Sequence, residues 1–328
     1  MPRHSLLALF ALAACTGKGG GGPAGDDTGG GDTGDTAEQG PQPADLAPLS
    51  SKSCPDFSAP GTSTFTSSGE ERQVTVLFPE ERPADMPVYF FFHGVDDPSR
   101  TDNPGGYTAD ALGLQAVADD TQSIWVVPDA PVQNILGIMN VYLWDLAMET
   151  DHDLVLYDDL RTCVAQEFSA DLHHVVAMGF SGGALFTTVV TVHRADTLAT
   201  AVELSGGADI EAPGYDSLLS EYSTPATTLP VLLTTGGKTD VWPDPSFAIV
   251  DFEAATDTFQ GELTNDGHFT VRCKDDNGHT ITRKDWNLGL EWAQAHRFGE
   301  ASPYETDGLG NDEDWCVPTP AGGADTGA

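Results

Sequence analysis

Short apolar runs and longer amphipathic stretches alternate along the chain between about residues 73 and 296. Gln73–Phe78 (QVTVLF) alternates apolar and polar side chains, as a half-buried strand does. Val88–Phe92 (VYFFF) and Ser123–Val127 (SIWVV) are unbroken apolar runs, the pattern of strands covered on both faces. Helical spacing falls at about Thr108–Ala118 and again over Asp153–Phe168. A strand at His174–Met178 (HVVAM) precedes a helix from about Gly183 to His193. Strands at Thr200–Leu204 (TAVEL) and Val231–Thr234 (VLLT), a helix near Phe247–Phe259, a strand at His268–Arg272 and a last helix over about Asp285–His296 complete the series. Strands alternating with helices of this length predict an α/β fold with a mostly parallel central sheet and helices on both faces.

The two ends of the chain break this pattern. Arg3 and His4 precede an apolar run from Leu6 to Ala14, the layout of a secretory signal over residues 1–14 and too short to span a bilayer permanently. Residues 15–53 are dominated by Gly, Asp, Thr and Pro, with almost no side chains that could offset the entropy of ordering. They read as a flexible acidic linker. The Asp-Gly-Thr repeats lack the regular spacing of a calcium loop. Residues 54–300 hold the alternating elements and are expected to be one folded domain, and 301–328 read as an acidic Gly/Pro-rich tail. Across 328 residues, 51 acidic and 14 basic side chains leave a formal charge of −37, which excludes electrostatic attraction to nucleic acid or to an anionic membrane face.

Beside Cys15, four cysteines remain: Cys54, Cys163, Cys273 and Cys316. An even number in an exported chain points to two disulfides with three possible connectivities, one of which could staple the tail through Cys316. Their spacing matches no zinc site, so a metal site is a poor alternative.

The candidate chemistry lies at three turns. Gly179-Phe180-Ser181-Gly182-Gly183 is a G-x-S-x-G between an expected strand and an expected helix, where the glycines permit a sharp turn that presents Ser181 as a nucleophile. The Gly182 N–H at the helix start can meet a developing oxyanion. A serine needs a base, and the base needs an acid to fix its tautomer. Asp240, after the run Pro230–Thr235, and His279, in DDNGHTIT, follow in the order Ser, Asp, His; Asp244 or Asp209 could replace the acid, and His268 is the rival base. Upstream, Phe90–Phe92 runs into His93-Gly94-Val95, whose backbone supplies a second oxyanion donor at about Val95. His93 is expected to hold this loop or to border the substrate pocket, together with Tyr142, Trp144 and Trp242. Gly237-Lys238-Thr239 lacks the earlier glycine of a phosphate loop, His173-His174 lacks a metal partner, and Ser205-Gly206-Gly207 has Glu203 where an elbow needs glycine. These three read as structural.

Two resemblances sharpen the reading. Leu12-Ala13-Ala14-Cys15 resembles the lipobox of bacterial lipoproteins, which implies lipidation of Cys15, a membrane anchor made of acyl chains, and an exported protein. The sequences FFHG (Phe91–Gly94), LWDL (Leu143–Leu146), YDDLRTCVAQEF (Tyr157–Phe168), HHVVAMGFSGGA (His173–Ala184), PVLLTTGGKTD (Pro230–Asp240) and NGHT (Asn277–Thr280) together resemble the α/β-hydrolase superfamily. Within it they are similar to the secreted polyhydroxybutyrate depolymerase and feruloyl esterase group, over roughly Val74 to Phe298. The resemblance implies a serine esterase working through an acyl-enzyme, with Ser181 as nucleophile, His279 as base, Asp240 as orienting acid and no cofactor. Its substrate would be a small-molecule ester, a polyester oligomer or an esterified polysaccharide. The acid loop departs from the group's usual wording, GGKTD standing for H-G-x-x-D. A peptidase on the same triad, or a binding lipoprotein on an inactive fold, are the alternatives.

Overall fold

A computed structural model describes residues 40–135, 137–309 and 314–320. The segment read as a secretory signal, Cys15, the expected linker as far as residue 39 and the last eight residues lie outside the described residues. The elements are β1 (Gly61–Ser67), β2 (Glu70–Leu77), β3 (Val88–Phe92), α1 (Pro104–Leu112), α2 (Leu114–Thr121), β4 (Ile124–Pro128), β5 (Val132–Ile135), β6 (Met139–Tyr142), α3 (His152–Phe168), β7 (Val175–Phe180) and α4 (Gly182–Arg194). They continue with β8 (Thr200–Leu204), β9 (Val231–Thr235), β10 (Val241–Asp244), β11 (Phe247–Asp251), α5 (Phe252–Asn265), β12 (Thr270–Lys274), α6 (Arg283–Ala295), α7 (Pro303–Asp307) and β13 (Cys316–Thr319).

Among the described residues one sheet has nine strands in the order β1-β2-β4-β3-β7-β8-β9-β12-β13. Its middle, from β4 to β12, is parallel, and antiparallel strands close both edges. The all-apolar β3 shows why such a strand must be central. Val88, Phe90 and Phe92 pack into the layer under α3, α4 and α5, while Tyr89 and Phe91 pack into the layer under α1, α2 and α6. Alternate side chains leave opposite faces of a strand, so both faces need a helical cover.

Several local rules decide where elements stop. The helix expected over Thr108–Ala118 is two helices, because Gly113 takes a left-handed φ of 66° that ends α1 and starts α2. The helix expected over Phe247–Phe259 begins only at Phe252. Asp251 accepts a hydrogen bond from Ala254 N at 3.1 Å as its N-cap, which frees Phe247–Asp251 to pair with β10. The hairpins β5–β6 and β10–β11 stand outside the main sheet.

The linker expected to run to residue 53 ends earlier. From Gly40 the chain belongs to the same compact unit as the sheet. Buried Arg161 donates to the carbonyl of Ala44 at 2.7 Å, Thr162 donates to that of Ala47 at 2.9 Å, and Asp159 accepts from Ser50 N at 2.8 Å. Polar groups buried on α3 need partners, and this otherwise featureless segment supplies them. Of the three cysteine connectivities the structure has Cys54–Cys163 and Cys273–Cys316. The second follows from register, since the two residues face each other across β12 and β13. The C-terminal region accordingly adds an edge strand to the sheet. Among the described residues no helix is long and apolar enough to cross a membrane.

Candidate active site

The turn between β7 and α4 forces Ser181 into φ 57°, ψ −126°, a backbone state that non-glycine residues rarely adopt. Its neighbours make room for it. A Cβ on Gly183 would lie 1.9 Å from the Phe92 carbonyl oxygen, and one on Gly179 would lie 2.3 Å from the Gly183 oxygen. The glycines of the motif are thus required by the close approach of β3, β7 and α4. The Ser181 amide donates to the Leu204 carbonyl at 3.0 Å, and Leu185 N donates to Ser181 O at 2.9 Å, so the strained residue is held from both sides.

Ser181 Oγ lies 2.8 Å from His279 Nε2, and His279 Nδ1 lies 2.7 Å from Asp240 Oδ1. Asp240, fully buried, sits just beyond β9, and its other oxygen accepts from Gly236 N and from Ser205 Oγ, each at 2.8 Å. The loops bearing the acid and the base are tied directly, Gly278 N donating to Gly236 O at 2.9 Å. The imidazole is held between two rings, stacked on Phe252 at 4.4 Å between centroids and on Phe180 at 4.9 Å. Nδ1 faces a carboxylate that can only accept, so Nδ1 carries the proton and Nε2 is left with a lone pair toward the serine hydroxyl. The rival groups are elsewhere: Asp244 is exposed, Asp209 accepts from Tyr222 N, and buried His268 contacts the Leu229 backbone.

On the other side of Ser181, His93 is completely enclosed. Its Nε2 accepts from Ala130 N at 3.0 Å, so Nδ1 bears the proton and donates to Gly94 O at 2.6 Å. Burial pushes its pKa down to about 4 and keeps the ring neutral. The Gly94 carbonyl and the Val95 N–H belong to one peptide plane, so the ring that grips the carbonyl also fixes the direction of the amide. A Cβ on Gly182 would lie 3.4 Å from Val95 N, which brings the two expected oxyanion donors together beside Ser181.

The expected pocket residues separate. Trp242 lines the cleft at Ser181, but His93 and Trp144 do not: each is only 1% exposed, and Trp144 Nε1 donates to the His93 carbonyl at 2.9 Å beneath the loop. Tyr142 is outside the lining, its backbone paired with Asp96. The lining comes instead from Val95, Leu143, Leu185, Tyr215, Ile249 and Phe252, among others, with no charged side chain, around a cavity of about 50 Å³. Ser205, Phe252 and Phe180 were missed as site residues. Phe180 stands inside the G-x-S-x-G motif itself, and Ser205 directly follows an expected strand. Among the described residues no group of three or more His, Cys, Asp or Glu side chains could hold a metal ion.

A parallel sheet with helices on both faces, a serine on a strained strand-to-helix turn, and an acid and a base on later strand ends define the α/β-hydrolase fold. No family model matches the chain, and no curated protein matches it in sequence. Among solved structures it is similar to native pOPH, with 16% identity and a TM-score of 0.60 over 80% of this chain and 94% of that one. Native sOPH gives 15% identity and a TM-score of 0.58 over 81% and 96%. A pOPH variant in complex with pNPB aligns with a TM-score of 0.59 at 16% identity, over 80% of this chain and 94% of that one.

Proposed function

We propose that this protein is a serine hydrolase of carboxylic esters. The observation that carries the reading is the continuous hydrogen-bonded chain Ser181–His279–Asp240 opening onto an apolar cleft. His279 Nε2 takes the hydroxyl proton as Ser181 Oγ attacks the ester carbonyl, and the Gly182 and Val95 amides receive the oxyanion. The tetrahedral intermediate expels the alcohol, which leaves with the proton held on His279, and a water deprotonated by the same ring then releases the acid from the acyl-enzyme.

The cleft narrows the substrate. A lining without charged groups disfavours ionised acyl chains, and a cavity of about 50 Å³ favours a small acyl group. The reading is therefore a short neutral acyl group, of the kind found in acetyl or hydroxybutyryl esters, polyester oligomers or acylated polysaccharides. The two disulfides fit an exported protein, and lipidation at Cys15 would tether it to a membrane. A p-nitrophenyl ester series of increasing acyl length, run on wild type and Ser181→Ala, tests the reading. Turnover should peak at short chains and fall by at least about 10⁴-fold in the variant. Activity retained by Ser181→Ala would refute it, and a preference for amides would redirect it to a peptidase.

A further inference from the structure

The loop after β8 presents a feature that a merely structural turn does not require. Ser205 takes φ 58°, the left-handed region, although glycine, which adopts it freely, occupies the next two positions. A non-glycine residue there costs about 1–2 kcal/mol, so its side chain is expected to return something. The turn is clamped from two helices. Thr188 of α4 donates to Gly207 O at 2.8 Å, Thr256 of α5 donates to Gly206 O at 2.9 Å, and Ala208 N donates to Ala255 O at 3.1 Å. Ser205 N continues the sheet ladder by donating to Thr234 O at 2.9 Å. The hydroxyl that emerges from this rigid frame is 97% buried and makes its hydrogen bond to Asp240 Oδ2, the oxygen turned away from His279.

We infer that Ser205 is a positioning residue for the proposed ester hydrolysis: from a clamped turn on the adjacent strand, its hydroxyl locks the Asp240 carboxylate in the rotation that presents Oδ1 to His279. The inference rests on the ester-hydrolase reading. Gly236 N alone would leave Oδ2 with one donor and a carboxylate free to pivot about it. Two donors at one oxygen fix its plane and spread its charge.

Ser205→Gly tests this cleanly, because glycine accepts the left-handed backbone and only the hydroxymethyl group is lost. Ser205→Cys keeps the shape with a weak donor. The expected result is a kcat about tenfold lower at unchanged KM, the scale of one hydrogen bond to a charged group, with Ser205→Cys in between. The acid limb of kcat/KM should move to higher pH, because a carboxylate with fewer donors holds protons more tightly on itself and on the imidazole facing it. The far-downfield proton resonance of His279 Nδ1–H should shift as well, a readout that does not depend on turnover. Unchanged kcat, acid limb and resonance in a folded Ser205→Gly protein would overturn the inference while leaving a Ser181-dependent esterase standing. Turnover that survives Ser181→Ala would sink the ester-hydrolase reading and this inference with it.

Discussion

The two sides of Ser181 are built by opposite electrostatic means. On the acid–base side a fully buried carboxylate is surrounded by donors: His279 Nδ1, Gly236 N and Ser205 Oγ. On the oxyanion side no charge is needed. A neutral, enclosed His93 accepts from Ala130 N and donates to Gly94 O, aiming the Val95 amide through the shared peptide plane. The first side is suited to moving a proton, since a carboxylate held by donors can support the imidazolium that the proposed mechanism requires. The second is suited to waiting for a charge, since its dipoles are fixed before the oxyanion forms. Both depend on a histidine tautomer set by a backbone or carboxylate partner, but in the proposed mechanism only the first histidine changes charge.

The largest way to break this comparison is Asp240→Asn. Gly236 N can only donate, so the asparagine oxygen should turn to it and the amide group to His279. An N–H donor facing Nδ1 moves the imidazole proton to Nε2, where it meets the Ser181 hydroxyl and can no longer receive its proton. The expected loss is about 10⁴-fold in kcat with the fold intact. A loss below tenfold would mean that the asparagine has flipped, against the Gly236 donor.

His93→Leu attacks the other side. It leaves the buried Ala130 N–H without an acceptor, at about 1–3 kcal/mol of stability, and frees the Gly94–Val95 peptide to tilt. A fall in kcat of about 10²-fold is expected, the scale of one oxyanion donor. Its pH profile is the sharper test. The acid limb should stay at the wild-type position, whereas Ser205→Gly moves it. If both variants move the limb equally, the two sides are not separate devices.

Much of this arrangement was legible in the chain, and the parts that were not share a physical cause. Val88–Phe92 and Thr200–Leu204 have the bounds expected of them, because a run of apolar residues bounded by polar ones leaves little freedom. Ser181, Asp240 and His279, read in that order from strand ends, lie in one hydrogen-bonded chain. What pattern could not convey is which way a side chain turns. Trp144 reads as a pocket residue because it lies in the apolar segment Asn134–Leu146, yet its polar partner lies inward, whereas His93 holds its loop, the first of its two expected roles. Ser205 reads as structural for lacking an elbow glycine, but the role inferred for it comes from β8 lying beside β9, a relation that only the fold creates. The segment from Gly40 to Ser53 looked unable to fold by composition, which takes no account of partners waiting on α3.

The smallest expected effect concerns stability against pH, and it sharpens the contrast between the neutral and the charged side. His93 and His296 are both held neutral by burial, with pKa values pushed down to about 4. The folded protein therefore binds fewer protons there than the unfolded chain. Their contribution is complete above pH 6.5 and is lost as pH falls from 6.5 toward 4, by about 3 kcal/mol for each. Glu203 works in reverse. Burial raises its pKa to about 8, so its contribution is present below pH 4.5 and is lost as pH rises through 8. The hydrogen bonds argue for the same neutral form. Thr188 Oγ1 lies 2.7 Å from Glu203 Oε1 and 2.8 Å from Gly207 O, and its single proton cannot serve both. A protonated Glu203 donates to Thr188, which then donates to Gly207, and the unpartnered Glu203 Oε2 carries no full charge. Arg272 of β12, the cation facing Glu203, is itself engaged by Asp257 of α5 at 3.1 Å. Thermal melts from pH 5 to 9 should therefore peak close to the ordinary histidine pKa of 6.5 and decline on the alkaline side. Glu203→Gln, which cannot ionise, should flatten the alkaline decline and steepen the acid arm, because Glu203 loses its contribution across the whole interval from pH 4.5 to 8. An alkaline arm that stays as steep in Glu203→Gln would place the titrating group elsewhere and leave the Gly207 turn, with the Ser205 hydroxyl it carries, held by a charged carboxylate instead of a neutral one.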